Sequence, residues 1–375
     1  MNILFACGGT GGHINPALAV AKLFRDRRGE ANILFGGASG GMETELVPRE
    51  GFEIRTVEIG SVKRKITGTA HNVRTLKNIA GSLKNARAIM EEFRPDIAVG
   101  TGGYASFPFI FEASRMGIPT VIHESNAAPG LTTRILARRA SRVMVSFPES
   151  AGLYGRNAKI TVTGTPVREE FIFTKREDAR KKLGIPPDMP MVVSCWGSLG
   201  AREMNRKIAE FIRLESEHEP FYHVHATGSF GWRWMPSLIK DMGVDLSKSG
   251  KIFTREYIYN MPELMAAADL VICRAGASTL SEISALAKPS IIVPSPNVAA
   301  NHQEKNARAL ESRGAAKVLL ENECSGEILF ELVVEMLSDK DLLLSMSQNL
   351  LSIAILDAAD RIYNTVLEVY NEHNR

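Results

Sequence analysis

The residues best placed to do chemistry sit on three glycine-rich turns. Arg274-Ala275-Gly276-Ala277-Ser278-Thr279 follows the short apolar run 269–273, and residues 280–286 then repeat apolar side chains at helical spacing, with Glu282 in the first turn. A strand, a small-residue turn and a helix start leave unpaired backbone N–H groups where an anion fits. An acid there would repel that anion if aimed at it, but it can accept hydrogen bonds from a sugar hydroxyl, as the acid of dinucleotide sites does with ribose. Glu282 therefore reads either as a ribose acceptor or as a carboxylate stabilised by the helix dipole. Gly8-Gly9-Thr10-Gly11-Gly12-His13 is the second turn, open to close approach by a phosphate. His13 lies at a helix start, where the dipole disfavours imidazolium. It reads as a neutral general base or as a residue that orders its loop. The third turn, GTGGYAS at 100–106, pairs with the second to cradle a diphosphate.

Further polar residues stand at the ends of apolar runs. In His123-Glu124-Ser125-Asn126, Asn126 can give and accept hydrogen bonds, which suits sugar hydroxyls or bonding within the loop. Arg168 either reaches a phosphate or pins two domains together. Gln303, in Asn301-His302-Gln303, offers a neutral donor and acceptor to a sugar. Trp232 and Trp234 read as packing or loop residues rather than a base-stacking platform. The spacing of the turn at 8–13 is not G-x-G-x-x-G, because position 14 is Ile, and the strand at 32–35 runs into Gly36-Gly37 without an acid. Both points argue against a nicotinamide dinucleotide.

The elements that must position these residues repeat. ILFACGGTGG at 3–12 and VVSCWGSLGA at 192–201 each precede a helix; DIAVGTGG at 96–103 and DLVICRAG at 269–276 each precede a helix, a proline and a strand. Alternating strands and helices in two matching series predict an α/β fold of two similar domains with parallel sheets, their glycine loops facing across a cleft. Ligands then lie beyond the strand C-termini. The Gly-Pro cluster after residue 162 places the boundary there, giving an N-terminal domain at 1–162 and a C-terminal domain at 163–353. A last helix in 354–375 is expected to pack back on the first domain.

At 375 residues, 45% hydrophobic and 23% charged, the composition is globular. No apolar run reaches membrane-spanning length, and the start lacks signal-peptide features. Cys7, Cys195, Cys273 and Cys324 lie far apart without metal-ligand spacing, which predicts a reducing compartment and no dedicated metal site. Residues 1–162 hold 21 Lys+Arg against 13 Asp+Glu, whereas the rest is acidic. Residues 61–94 alone carry eight Lys+Arg and two Glu, around an apolar stripe of Val73, Leu76, Ile79, Ala80 and Leu83. Arg134, Arg138, Arg139 and Arg142 follow. This stretch reads as a surface for an anionic membrane or as an amphipathic helix on its own core. Nucleic acid is a third reading, but no binding motif accompanies the charge.

Six motifs in order, GGTGGHINP, GTGGYAS, HESNAAPGL, PVR, RAGASTLSE and NHQEKNA, span residues 8–307 and resemble the MurG family, the peptidoglycan N-acetylglucosaminyltransferases. The resemblance covers most of the chain. It implies a GT-B fold, two Rossmann-like domains around a cleft, and transfer of GlcNAc from UDP-GlcNAc to the 4-hydroxyl of the muramyl sugar of lipid I (undecaprenyl-pyrophosphoryl-MurNAc-pentapeptide), with inversion. It further implies a peripheral enzyme at the cytoplasmic face of the bacterial membrane, with no nucleic acid partner. Carried over by motif, Thr10, Gly11 and Gly12 lie at the donor–acceptor junction, and Asn126 and Arg168 contact the donor. Ser198 meets the diphosphate, Ile258 the uracil, and Ala277, Ser278, Thr279, Leu280 and Ser281 the diphosphate and its neighbours. Glu282 holds the ribose, Gln303 the GlcNAc ring, and His13 is the candidate base. The resemblance brings no dedicated metal ligands and leaves a divalent-metal requirement open. This chain departs from the family at Trp196 and Leu199, where Gly and Gln are usual, and at Thr165 for Asn. Other GT-B glycolipid transferases, a UDP-GlcNAc 2-epimerase and a non-enzymatic nucleotide-sugar-binding membrane subunit are the competing readings.

Overall fold

A computed structural model describes residues 1–59, 69–197 and 200–375, with the side chains of 69–77 and 299 left aside. The chain forms two compact units, Met1–Pro166 with Ile355–Arg375, and Val167–Ala354.

Unit 1 alternates strand and helix: β1 (Asn2–Cys7), α1 (Gly11–Arg27), β2 (Asn32–Ala38), α2 (Glu43–Arg49), β3 (Glu53–Val57), α3 (Thr69–Phe93), β4 (Ile97–Gly102), α4 (Ser106–Arg115), β5 (Thr120–Glu124), α5 (Leu131–Leu136), β6 (Arg142–Val145) and β7 (Ile160–Val162). Its seven strands pair in the order β3-β2-β1-β4-β5-β6-β7, all parallel. The central strands are buried along nearly their whole length, as expected for a parallel sheet with helices on both faces.

Unit 2 begins with α6 (Glu169–Phe173) and α7 (Arg176–Leu183). It continues through β8 (Met191–Cys195), α8 (Arg202–Glu215), β9 (Tyr222–Ala226), α9 (Gly228–Trp232), α10 (Met235–Asp241), β10 (Ile252–Arg255), α11 (Met261–Ala267), β11 (Leu270–Cys273), α12 (Ala277–Ala285), β12 (Ser290–Ile292), α13 (His302–Glu311), β13 (Lys317–Val318), α14 (Gly326–Ser338) and α15 (Lys340–Ile353). Six parallel strands run β10-β9-β8-β11-β12-β13. In both units the strand order reverses beside the first strand, so each sheet has one switch point: between β1 and β4, and between β8 and β11. Crevices at such points, outside the strand carboxyl ends, are where this architecture binds ligands.

The last helix, α16 (Ala358–His373), belongs to unit 1. Ile362, Tyr363, Val366 and Val369 join the core around Phe24 and Ala17, with the Tyr363 and Phe24 rings 4.4 Å apart. Arg27–Asp360 and Arg142–Glu372 ion pairs flank it. Lys340–His373 has the length and hydropathy of a membrane span. It is broken into α15 and α16, and each half packs an apolar face on the core of its own unit.

Unit 1 extends to Pro166 rather than Val162. Thr163 and Gly164 donate to the Val145 carbonyl, and the Thr165 hydroxyl bonds to Ser146, so the Gly-Pro segment is laced to β6 before the chain crosses over. In unit 2 a buried polar chain crosses the sheet. The Ser194 hydroxyl meets His223 Nε2 at 2.8 Å and His225 Nδ1 at 2.7 Å, His223 Nδ1 meets Glu215 at 2.7 Å, and His225 Nε2 meets Asn205 Oδ1 at 3.2 Å. Burial and the neighbouring His223 hold His225 well below the usual histidine range, and burial raises the Glu215 carboxyl.

Candidate functional site

In unit 1 the first glycine turn stands at the switch point. Gly9 has φ +87°, a conformation that glycine reaches without steric cost. Thr10 caps α1 in extended geometry without a side-chain hydrogen bond, and no acid follows in the first turn. Such a helix start suits an anion. His13 is the third residue of that helix. Its carbonyl accepts from the Thr101 hydroxyl at 2.7 Å, and its ring lies on the next turn, where a Cβ at Gly102 would sit 2.6 Å from Nδ1. A Cβ at Gly103 would sit 2.0 Å from the Gly8 carbonyl oxygen. The two glycine turns thus pack directly on one another, and side chains at Gly102 and Gly103 would force them apart.

Near the end of β5, His123 is buried, with Nε2 2.8 Å from the Gly164 carbonyl and 3.3 Å from the Ser146 hydroxyl. A carbonyl only accepts, so Nε2 carries the proton and Nδ1 is left as acceptor for Ser125. Burial lowers its pKa, so the ring is neutral. Glu124, which the sequence pattern does not single out, organises the loop after β5. Its Oε1 accepts from the Asn126 backbone and side-chain nitrogens, and its Oε2 accepts from Gly130. The orientation of the Asn126 carboxamide is therefore set by an acid two residues earlier. The signal was an acid at a strand end between His and Ser-Asn.

In unit 2, Ser198 and Leu199 lie outside the described residues. Around them Gly197 and Gly200 adopt φ +86° and +78°, and a Cβ at Gly200 would meet the Thr227 carbonyl at 2.1 Å. Trp196 is a core residue, 5% exposed, with the Arg274 guanidinium 5.6 Å from its ring. Gly200, Ala201, Arg202, Asn205, Phe230, Gly231 and Trp234 line a small cavity at the start of α8. Trp232 and Trp234 do not lie in a simple loop: Trp232 ends α9, and Trp234 caps α10.

α12 starts at Ala277, three residues before the apolar spacing placed it, with Gly276 extended at its cap. Glu282 consequently stands in the second turn. The dipole acts over the first turn only, so helix-dipole stabilisation no longer accounts for this acid. Burial lifts its pKa to about 7, and Arg168 opposes that rise. Arg168 caps α6 and lies over the Phe171 ring. Ser278 Oγ is buried without a partner among the described residues, and Ser281 Oγ donates to Ala277 O. Thr279 turns its Oγ1 toward Gly276. Leu280 and Ile258 are 1% and 5% exposed, as packing residues would be. Gln303 Oε1 accepts from the Ser295 N–H at 2.8 Å, which takes up its acceptor oxygen. Asn306, not singled out in the sequence, holds the Ala275 carbonyl at 3.1 Å and so fixes the 274–276 turn.

Thr10, Gly11, Gly12, His13 and Asn126 thus belong to unit 1. Arg168, Ile258, Ala277, Ser278, Thr279, Leu280, Ser281, Glu282 and Gln303 belong to unit 2. The unit 1 residues follow the carboxyl ends of β1 and β5, and Ile258, residues 277–282 and Gln303 follow those of β10, β11 and β12, whereas Arg168 precedes the first strand of unit 2. Among the described residues no three His, Cys, Asp or Glu side chains are grouped to hold a metal ion.

Comparison with known proteins matches residues 3–145 to the glycosyltransferase family 28 N-terminal domain and residues 191–362 to its C-terminal domain. The chain is 44% identical over 369 residues to the UDP-N-acetylglucosamine--N-acetylmuramyl-(pentapeptide) pyrophosphoryl-undecaprenol N-acetylglucosamine transferase of Acetivibrio thermocellus, with 98% of each covered. It is 40% identical to the protein of the same name from Desulforudis audaxviator, with both chains fully covered. The crystal structure of Acinetobacter baumannii MurG superposes with a TM-score of 0.78 at 27% identity, covering 98% of this chain and 99% of that one. A UDP-GlcNAc 2-epimerase from Neisseria meningitidis bound to UDP-GlcNAc shares the fold at a TM-score of 0.66 and 13% identity, covering 98% of this chain and all of that one.

Proposed function

The chain belongs to the MurG family of glycosyltransferases, and on that premise we propose that it transfers GlcNAc from UDP-GlcNAc to the 4-hydroxyl of the muramyl sugar of lipid I, releasing UDP. The observation that carries the reading is identity of 44% across essentially the whole length of a transferase so named.

The acceptor oxygen forms a bond to the anomeric carbon as the bond from that carbon to the β-phosphate breaks. The proton passes to a base and the electron pair leaves with UDP, inverting the centre. His13, at the start of α1, is the proposed base. The open amides and the Ser278 hydroxyl at the start of α12 meet the diphosphate as its charge grows. Glu282 takes the ribose hydroxyls, Ile258 packs on uracil, and the Gln303 amide reaches the GlcNAc ring. Arg168 and Asn126 complete the donor contacts, with Ser198 at the diphosphate. No step here specifies a metal.

Membrane association at the cytoplasmic face is proposed on unit 1. Leu131 and Ile135 are 69% and 40% exposed beside the exposed Arg134, Arg138 and Arg139. On α3, Ser82, Ala86 and Met90 face the core, while Ile79 and Leu83 of the apolar stripe are only half-buried and Lys84 and Arg87 exposed. Lys63, Arg64 and Lys65 lie outside the described residues. Apolar side chains ringed by cations suit an anionic lipid surface.

The test is purified protein with labelled UDP-GlcNAc and a lipid I analogue. Labelled GlcNAc on the analogue with equimolar UDP is expected. UDP-ManNAc or free ManNAc without an acceptor product would replace this reading with epimerisation, and neither product would replace it with binding alone.

A further inference from the structure

We propose that Glu43 is a positioning residue for the transfer reaction, one that sets the shape of the glycine turn ahead of His13. The inference rests on the transferase reading. Glu43 opens α2, is completely buried, and has no cation within ion-pair range among the described residues. Its carboxylate is used on backbone amides alone. Oε1 accepts from Ala38 N–H at 2.9 Å, at the end of β2, and Oε2 accepts from Gly9 N–H at 3.1 Å, inside the turn. Three glycines make room for it. A Cβ at Gly8, Gly37 or Gly41 would lie 2.1, 2.6 and 2.5 Å from Glu43 atoms. The same turn is closed on its other side by Gly103, against the Gly8 carbonyl, and by Tyr104, whose ring lies 3.3 Å from where a Gly9 Cβ would be. Gly9, with φ +87°, leads within two residues to the first amide of α1 and within four to His13.

A buried carboxylate with two amide donors is a bridge that only an acceptor at both ends can make. It couples the end of β2 to the turn after β1, and the backbone that carries the proposed base hangs from that second amide. The chain departs from the economical solution of an apolar residue here. An apolar side chain would leave the Ala38 amide buried and the Gly9 amide half-buried, both without this partner.

Glu43→Gln is the direct probe, because it keeps size and presents an NH2 group to one of the two N–H donors. Misplacement of the turn is expected to lower kcat by about 10- to 100-fold, while KM for UDP-GlcNAc moves less than about threefold, since the donor contacts proposed above lie chiefly in unit 2. Hydrogen exchange at Gly9 should accelerate by about tenfold or more while the amides of Leu4 and Phe5 in β1 stay protected, which reads folding of unit 1 separately. Gly103→Ala, which presses on the Gly8 carbonyl with Glu43 intact, should give the same split between kcat and KM. Wild-type protein that transfers GlcNAc while Glu43→Gln matches it within twofold overturns this inference alone. So does a loss of rate that merely tracks loss of β1 protection in both variants. Wild-type protein that makes no product overturns the transferase reading, and this inference with it.

Discussion

Replacing Glu282 by Gln should damage donor binding and at the same time make the unliganded protein more stable. Burial lifts this carboxyl from the ordinary 4.5 to about 7, with Arg168 pulling the other way. At about 1.4 kcal/mol per pH unit, holding the group ionised above pH 7 costs the folded chain about 3 kcal/mol. Because the side chain keeps partial contact with solvent, about 2 kcal/mol is the working figure. The native state binds the extra proton between pH 4.5 and 7, so this contribution to stability is complete below the lower value and is lost as pH rises through the upper one. Glu282→Gln, neutral throughout, should therefore melt about 4–8 °C higher than wild type at pH 8 and about equally at pH 5. Trp196, Trp232 and Trp234 all lie in unit 2, so tryptophan fluorescence reads its melting alone. If the ionised carboxylate is what accepts the ribose hydroxyls, wild-type affinity for UDP should rise about tenfold from pH 6 to 8, following the charged fraction. The variant should bind weakly and without that dependence. Arg168→Ala removes the opposing cation and should push the midpoint above 7. Wild-type UDP affinity flat across this range, or a variant less stable at pH 8, would refute the argument.

Two further outcomes are expected. Ser194→Ala strands His223 Nε2 and His225 Nδ1 in the core, which should cost unit 2 about 2–4 kcal/mol; an unchanged tryptophan-monitored melt would mean the rings find new partners. Sedimentation with anionic vesicles should weaken as salt rises from low to physiological strength and weaken again in Arg134→Glu/Arg138→Glu, with transfer to a short-chain acceptor retained. Equal binding to neutral vesicles would count against the charged surface.

The chain displays its sheet centres openly and its margins poorly. β1, β4, β8 and β11 are legible because each is an apolar run that leads into a glycine turn and a helix, β5 and β12 because each follows such a helix and a proline, and all of them because the pattern occurs twice. β3 is not, since this edge strand exposes Glu53, Arg55 and Thr56, and neither is the two-residue β13. The apolar period places the start of α12 three residues late because Ala277, Ser278 and Thr279 carry none, and so puts Glu282 in the first turn rather than the second. Glu43 and Glu124 escaped for a different reason. A carboxylate that serves a backbone amide looks on paper like any surface acid, and Gly9 is 34 residues from Glu43. Family motifs supplied the remaining site residues, which no spacing argument singled out.

The placement of α16 bears on how this protein is made. Synthesis ordinarily lets the leading domain finish first, but here the opening 166 residues wait for the closing twenty-one to cover Phe24 and its neighbours. The middle segment, being continuous, can mature on the ribosome while its predecessor is still incomplete. A nascent chain stalled before residue 358 would present an unfinished first half to chaperones and proteases, and a fragment ending at Pro166 should aggregate unless 355–375 is grafted onto it.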